Sequence, residues 1–240
     1  MEWRIGCSGF SYKEWKGTFY PQDMPSIRWF DFYAEHFNTL ELNVTFYHFP
    51  RVKTLQQWYK KSPAGFLFAV KAPRLITHYK KFNDCKSLLD DFYTVCSKGL
   101  QEKLGPVLFQ LPAAVHYSEA FLETLVQSMQ RSYINVIEFR HESWWRTDVY
   151  TALGKAGIIF CGINHPTLPT PIIINNDIAY YRLHGVPGLY FSEYDNSMVK
   201  GMADGLLHSK RTRQAFVLFN NTATMAGINN ANMLKDYITR

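Results

Sequence analysis

The sequence predicts a single domain over residues 1–240 with the (β/α)8 fold of a TIM barrel. Eight short apolar runs rich in β-branched and aromatic residues alternate with segments of helical periodicity. Such alternation predicts parallel strands joined by right-handed helical crossovers, and a chain of 240 residues has room for eight units. A doubly wound sheet is the alternative. It typically carries a glycine-rich phosphate loop after an early strand, and the segment Gly6-Cys-Ser-Gly9 is too short and differently spaced.

The predicted strands are seven or eight residues long and end at polar or turn-forming residues. Near-continuous apolar runs of this kind are typical of parallel strands that are covered on both faces. They span residues 4–10, 39–45, 67–73, 106–112, 135–141, 157–163, 178–185 and 215–221.

The predicted helices fill most of the gaps between these strands. Apolar residues recur near every third or fourth position, and Ser26 and Ser118 are candidate N-caps. The helical segments span residues 26–37, 54–61, 84–101, 118–129, 148–155, 198–207 and 227–239. The connection between the sixth and seventh strands, residues 165–177, contains three prolines and is predicted to be irregular.

Composition narrows the class of protein. Hydrophobic residues make up 47% and charged residues 19%, which is enough for a large core and excludes a disordered chain. The four cysteines form no CxxC pair and no zinc-ligand spacing, which favours a reducing, cytoplasmic location. No signal peptide and no apolar run of membrane-spanning length is expected, so a membrane partner is not predicted. The net charge of +6 suits an anionic partner without choosing one.

Polar side chains occupy one face of several predicted strands. Glu41 alternates with leucines, and Glu138 and Arg182 alternate with apolar neighbours in the same way. Because the other face must pack under helices, the polar face points into the barrel, near the carboxyl ends that hold barrel active sites. The residues expected at this mouth are Ser8, Glu41, Asn43, Lys71, Gln110, Glu138, Arg140, Arg182, His184, Asn220 and Asn221.

Further candidates lie in the loops after the fifth and seventh strands. His141 is a candidate acid/base or ligand, and Trp144 a candidate stacking wall for a sugar or base. The alternatives are that His141 caps the following turn and that the tryptophan belongs to the core. Tyr190 and Tyr194 are expected to close over a ligand.

Motifs along the whole chain resemble the YecE-like family of uncharacterised TIM-barrel proteins, also called domain of unknown function seventy-two. The resemblance implies the (β/α)8 fold and supplies no reaction. Where the family ends in Asn-Asn-Asp, this chain has Asn220-Asn221-Thr222, so a role for a carboxylate there is not carried over. The matching motifs are IGCSGFSY (5–12), ELNVTFY (41–47), FLFAVKA (66–72), KLGPVLFQLP (103–112), EFRH (138–141), YRLHG (181–185) and FNN (219–221).

The favoured function is an enzyme acting on a small anionic or sugar-phosphate-like ligand. Lys71, Arg140 and Arg182 would neutralise the anion. The predicted acid/base residues are Glu41, Glu138, His184 and His141, and the remaining polar residues, with Trp144 and Tyr194, would contact the ligand.

Three alternatives remain open from the sequence. In the first, the carboxylates and cations at the mouth form only a structural ion-pair network. In the second, Glu41, Glu138 and a histidine bind a divalent metal, although three neighbouring cations disfavour this. The third is a protein that binds or processes nucleic acid through the same basic, aromatic-rimmed mouth. No nucleotide-cofactor motif is found, the cofactor is unassigned, and the oligomeric state is left open.

Overall fold

The computed structural model describes residues 1–239, and nine short strands lie within them. Seven of the eight predicted strands are found as single strands, several of them shorter at the carboxyl end. The strands are β1 (Glu2–Cys7), β2 (Thr39–Leu42), β3 (Leu67–Lys71), β4 (Leu104–Gln110), β5 (Asn135–Glu138), β6 (Ile158–Phe160), β7 (Gly162–Asn164), β8 (Ile178–Leu183) and β9 (Gln214–Phe219).

The strands form two sheets, and every ladder is parallel. One sheet has the order β2-β3-β4-β5-β6 and the other β1-β9-β8-β7. The predicted parallel α/β architecture is therefore confirmed. The predicted closed (β/α)8 barrel is not established by strand pairing, because within residues 1–239 no ladder joins β6 to β7 and only an isolated bridge, between Ser8 and Glu41, joins the β1 side to β2.

The predicted sixth strand, residues 157–163, is divided at Cys161. The Cys161 amide donates to the carbonyl of Ile137 in β5, whereas the next residue, Gly162, pairs with Tyr181 in β8. A Cβ atom on Gly162 would lie 2.2 Å from the Tyr181 ring, so this position has no room for a side chain. The chain thus changes sheets within one residue, and the prediction of one continuous strand was wrong.

Side chains connect β1 to β2 where the ladder is missing, and we call this boundary the β1–β2 seam. Asn38 accepts from the Ile5 amide at 2.9 Å and donates to the carbonyl of Trp3 at 2.9 Å. The Tyr33 hydroxyl accepts from the Cys7 amide and donates to the carbonyl of Thr39. These side chains satisfy backbone groups of β1 that a neighbouring strand would otherwise satisfy.

Eight α-helices cover the sheets within residues 1–239. The seven predicted helices are confirmed within a few residues, and Ser118 caps its helix by accepting from the Phe121 amide. Ser26 is not an N-cap, because it begins a 3-10 turn (Ser26–Arg28) that leads into the helix. The helices are α1 (Trp29–His36), α2 (Val44–Tyr47), α3 (Val52–Lys61), α4 (Lys86–Leu100), α5 (Glu119–Ser128), α6 (Thr147–Lys155), α7 (Asn196–Leu207) and α8 (Ala226–Ile238).

Three details of the connections differ from the prediction or complete it. Residues 44 and 45 were predicted as strand but belong to the short helix α2. Residues 75–79 form one π-helical turn after β3. Residues 165–177, between β7 and β8, contain neither helix nor strand.

No helix within residues 1–239 has both the length and the apolar character needed to cross a membrane.

The core lies on both faces of the strands. Side chains of one parity pack under the helices, and those of the other parity form a smaller cluster shared by both sheets. This inner cluster confirms the predicted alternation, because most of its members lie two residues away from a polar strand residue and therefore on the same face of the strand. Its members are Ala69, Leu108, Val136, Ile159, Cys161, Tyr180, Phe216 and Leu218.

Candidate functional site

Arg182 is the centre of a buried charged cluster above the inner apolar cluster. It lies near the carboxyl end of β8 with 1% of its side chain exposed. Its Nη2 is 2.6 Å from Oε1 of Glu41, and its Nη1 is 2.5 Å from Oε2 of Glu138. Burial lowers the pKa of Arg182, but the two carboxylates outweigh burial and hold this pKa well above its usual value. Arg182 is therefore permanently charged and held between two strands of the other sheet.

Glu138, at the end of β5, contacts a second arginine. Arg140 Nε donates to Glu138 Oε1, and Arg140 keeps 13% of its side chain exposed. Burial raises the pKa of Glu138, but Arg140 and Arg182 outweigh it, so the pKa lies well below its ordinary value. A carboxylate with so low a pKa is a weak proton acceptor at neutral pH, so Glu138 does not fit the predicted acid/base role.

His184 follows β8 and is fully buried against the same cluster. Its Nε2 lies 3.7 Å from Glu138 Oε2 and 3.3 Å from Nη2 of Arg140, and its Nδ1 lies 2.8 Å from the Asn220 side-chain nitrogen. Burial lowers the pKa of His184 to about 3 despite the nearby carboxylate. The imidazole is neutral at physiological pH, and its contacts keep its orientation fixed.

Lys71 is the third cation near this cluster and lacks such partners. It lies at the end of β3 with 9% of its surface exposed, and its Nζ is 4.2 Å from the centre of the Phe46 ring. Among residues 1–239, no carboxylate lies within ion-pairing distance of this ammonium group. Burial, followed by the charge of Arg182, lowers the pKa of Lys71 to about 8.

Ser8, Asn43 and Gln110 lie at the carboxyl ends of β1, β2 and β4, and Asn220 and Asn221 follow β9. Ser8 is buried beside Arg182, with its Oγ 3.5 Å from Nη2, and Gln110 is half-buried at the end of β4. Asn43 is half-buried, and its Oδ1 is a buried oxygen without a hydrogen-bond partner. Asn221 turns away and donates to Ser192 and Asn230, so Asn220 alone of the asparagine pair contacts His184.

Three predicted residues are placed away from the charged cluster. Trp144 is fully buried, stacks on Phe139 at 4.2 Å and donates to a backbone carbonyl, so its ring is not open to a ligand. His141 caps the turn that follows it by accepting from the Ser143 amide. Tyr194 is 5% exposed, and its hydroxyl donates to Asn164 and accepts from the Gly185 amide. The core and capping alternatives fit Trp144 and His141, and Tyr194 is fixed rather than free to close.

Two residues that contact the cluster were not predicted from the sequence. The Tyr180 hydroxyl donates to Glu41 Oε2 at 2.6 Å, and Tyr180 shares its strand parity with Arg182, which is a signal that could have found it. Phe46 was missed because it was predicted to follow a strand, whereas it lies in α2.

The carboxylates predicted as metal ligands form ion pairs with arginines instead. Glu41, Glu138 and either His184 or His141 are the predicted ligands, and both carboxylates contact arginine nitrogens. Within residues 1–239, no group of three or more His, Cys, Asp or Glu side chains is arranged to hold a metal ion. The donors present therefore do not fit a divalent cation in this arrangement.

Comparison with known protein families shows which family the chain belongs to. Residues 4–240 match the family described as protein of unknown function DUF72. The chain belongs to the DUF72 family. Its sequence is 30% identical over 137 residues to UPF0759 protein YecE of Escherichia coli K12, which covers 57% of this chain and 50% of YecE. It is 27% identical over 154 residues to UPF0759 protein YunF of Bacillus subtilis strain 168, which covers 61% of this chain and 53% of YunF.

The chain spans about half the length of these curated relatives, and solved structures of the family match it over its full length. A DUF72 family protein of Thermotoga maritima MSB8 has a TM-score of 0.88 and 29% identity, with 100% of both chains covered. A DUF72 family protein of Enterococcus faecalis V583 has a TM-score of 0.80 at 18% identity, with 100% of this chain and 98% of that chain covered, and shows the shared fold.

Proposed function

We propose that this DUF72 member is an enzyme that binds a small anionic ligand beside Lys71 and Arg140. The observation that carries the proposal is the charge of the buried cluster. Lys71, Arg140 and Arg182 face two carboxylates, and His184 is neutral, which leaves one positive charge in excess. A buried charge without a partner is unfavourable by several kcal/mol. An anion that entered the mouth would remove this penalty.

The cluster divides into a supporting part and a reactive part. We propose that Glu41 and Glu138 position the two arginines, since their oxygens are occupied by them. Lys71 is the proposed acid/base group, because a pKa of about 8 lies close to neutral pH. Ser8, Gln110 and Asn43 would contact neutral oxygens of the ligand from the border.

The proposed site requires the two sheets to enclose one interior. We infer that they form one barrel-like layer, with the β1–β2 seam and Cys161 as its two joins. The support is the inner apolar cluster, to which strands of both sheets contribute, and the ion pairs of Arg182 with β2 and β5. A cytoplasmic location remains part of the proposal, supported by four free and buried cysteines.

The test is calorimetric titration of the full chain with inorganic phosphate and with glycolate. We expect at least one of them to bind, and Lys71→Met and Arg140→Met each to weaken binding about tenfold, which is about 1.4 kcal/mol. Lys60→Met is the matched control, because it removes the same charge from the exposed face of α3. Binding that is absent from the wild type, or that is weakened equally by Lys60→Met, would contradict the proposal.

Nucleic-acid binding is the second candidate, and one observation favours it. The Arg74 guanidinium lies 5.7 Å from the Tyr47 ring and 5.5 Å from the Tyr79 ring, and the two tyrosines are 61% and 64% exposed. Exposed aromatic rings beside a cation are suited to stacking with bases of a single strand. Titration with a labelled oligothymidine at low salt tests this candidate, and Tyr79→Ser should weaken binding if stacking contributes. Absence of binding at low salt would end it.

A further inference from the structure

Two buried lysines of this chain differ in the contacts of their amino groups. Lys103, 8% exposed, donates to the carbonyls of Tyr59 and Ser62 at 2.8 and 2.6 Å and to the Ser62 hydroxyl at 2.9 Å. Lys71 is buried to the same degree, and its amino group faces the Phe46 ring. The first lysine has the acceptors of a structural ammonium group. The second has the surroundings of an amine that is free to react.

The groups around Lys71 disfavour its charged form as a set. Burial and the two arginines lower its pKa, and the two carboxylates raise it less. His78, half-buried on the π turn, lies edge-to-face against the neighbouring Phe46 ring, with 5.0 Å between the ring centres. With a pKa of about 8, about a tenth of the lysine is neutral at pH 7. The charged and titratable groups that face it are Arg140, Arg182, Glu41, Glu138 and His78.

We propose that Lys71 forms an imine with the carbonyl carbon of a small anionic aldehyde or 2-oxo acid. The inference rests on the proposed function, since the anionic group of the substrate would be held at the same mouth by Arg140. It adds the substrate class and a covalent step. The position of the lysine supports it, because the end of a buried strand holds the residue in place while 9% of its surface stays exposed.

The step balances without another reactant. The Lys71 nitrogen attacks the carbonyl carbon, its proton moves to the carbonyl oxygen, and a carbinolamine forms. The hydroxyl then leaves as water with a second proton from the nitrogen, and the carbon–nitrogen double bond forms. Addition of one proton gives an iminium ion, which restores the positive charge that the ammonium form carried. The substrate's anionic group offsets that charge next to the two arginines.

The test uses glyoxylate as the probe and sodium cyanoborohydride to reduce the iminium to a stable secondary amine. The full chain is treated at a range of pH values, and modified lysines are located by peptide mass mapping. We expect Lys71 to be modified at pH 7 at least about tenfold faster than exposed Lys60, because more of it is neutral. Its rate should level off above pH 8, whereas the rate at Lys60 should still rise.

The controls separate this inference from the proposed function. Glycolate has the same charge and no carbonyl group, so it should slow the modification of Lys71 but not of Lys60. Selective and glycolate-sensitive modification supports the imine. If glycolate binds in calorimetry but Lys71 reacts no faster than Lys60, the imine is overturned and the anion site stands. If neither phosphate nor glycolate binds, glycolate gives no protection and Lys71 is not selected, both proposals are overturned. The measurement is made on the wild-type chain and does not depend on the folding of a variant.

Discussion

Nη2 of Arg182 lies 2.6 Å from Oε1 of Glu41, and this ion pair joins β8 of the four-stranded sheet to β2 of the five-stranded sheet. Neither side chain exceeds 1% exposure. A buried pair of this kind adds little stability compared with apolar residues, but removal of one partner leaves the other charge uncompensated. The pair is therefore a contact between the two sheets that is costly to break, rather than a large net source of stability.

Arg182→Met is expected to lower the free energy of unfolding by about 3–5 kcal/mol, because it leaves Glu41 and Glu138 buried without this cation. Urea denaturation measures the change. Arg213→Met is the control, since its ion pair with Asp177 is exposed and should contribute less than about 1 kcal/mol. Similar losses in the two variants would show that the buried network is not the source of the effect.

Replacement of the two buried lysines should have opposite effects on stability. Lys71→Met removes an ammonium group whose pKa is lowered to about 8, so we expect the free energy of unfolding at pH 7 to rise by roughly 1–3 kcal/mol. Lys103→Met should lower it by about 1–3 kcal/mol, because two carbonyls and a hydroxyl lose their donor. Both variants are measured by urea denaturation. Destabilisation by Lys71→Met as large as that by Lys103→Met would contradict the structural contrast.

His184 should make the protein less stable in mild acid. Its folded pKa of about 3 lies below the value of about 6.5 for an unfolded histidine. The unfolded chain therefore takes up a proton below pH 6.5 while the folded chain does not, and stability falls as the pH is lowered, by about 1.4 kcal/mol per pH unit. In His184→Gln, the change of unfolding free energy with pH between pH 6 and 4.5 should be smaller by the contribution of about one proton, which is about 1.4 kcal/mol per pH unit. An unchanged slope would show that His184 is charged in the folded state.

The β1–β2 seam predicts a local effect of Asn38. Asn38→Ala removes the acceptor of the Ile5 amide and the donor to Trp3, and should lower the free energy of unfolding by about 1–2 kcal/mol. Hydrogen exchange should accelerate at the Ile5 amide and remain slow at Val217 in the central strand β9. Asn83→Ala, at an exposed turn, serves as the control. Uniform acceleration along both strands would mean that the seam does not open separately.

The location of the charged cluster could be predicted from strand alternation alone. Glu41, Glu138 and Arg182 share a face because alternate residues of a strand do, and the helices have to cover the other face. Which of them pair could not be predicted, since the Glu41–Arg182 contact spans 141 residues and depends on strand order. The asparagine pair shows the same limit: Asn220 contacts His184, whereas Asn221 bonds to Ser192.

Local periodicity could not resolve the aromatic residues or the ends of the strands. Trp144 follows a strand just as a ligand-contacting residue would, and its full burial and its stacking on Phe139 assign it to the core. The break at Cys161 lies inside an uninterrupted apolar run, because the change of sheet is set by backbone partners in β5 and β8. The helix α2 was missed because Val44 and Thr45 continue the residue types of the strand before them.

The four cysteines are all free and buried, and burial raises the pKa of each thiol. A thiol in that state does not react with alkylating reagents until the surrounding chain opens. The cysteines lie in three parts of the fold, so the rate at which each is alkylated reports the local opening of the chain around it. Alkylation of Cys7 reports opening of the β1–β2 seam, and alkylation of Cys161 reports opening where the chain passes from β6 to β7. Alkylation of Cys85 and Cys96 reports opening of α4. The order in which they become alkylated would map how this fold comes apart without any engineered label.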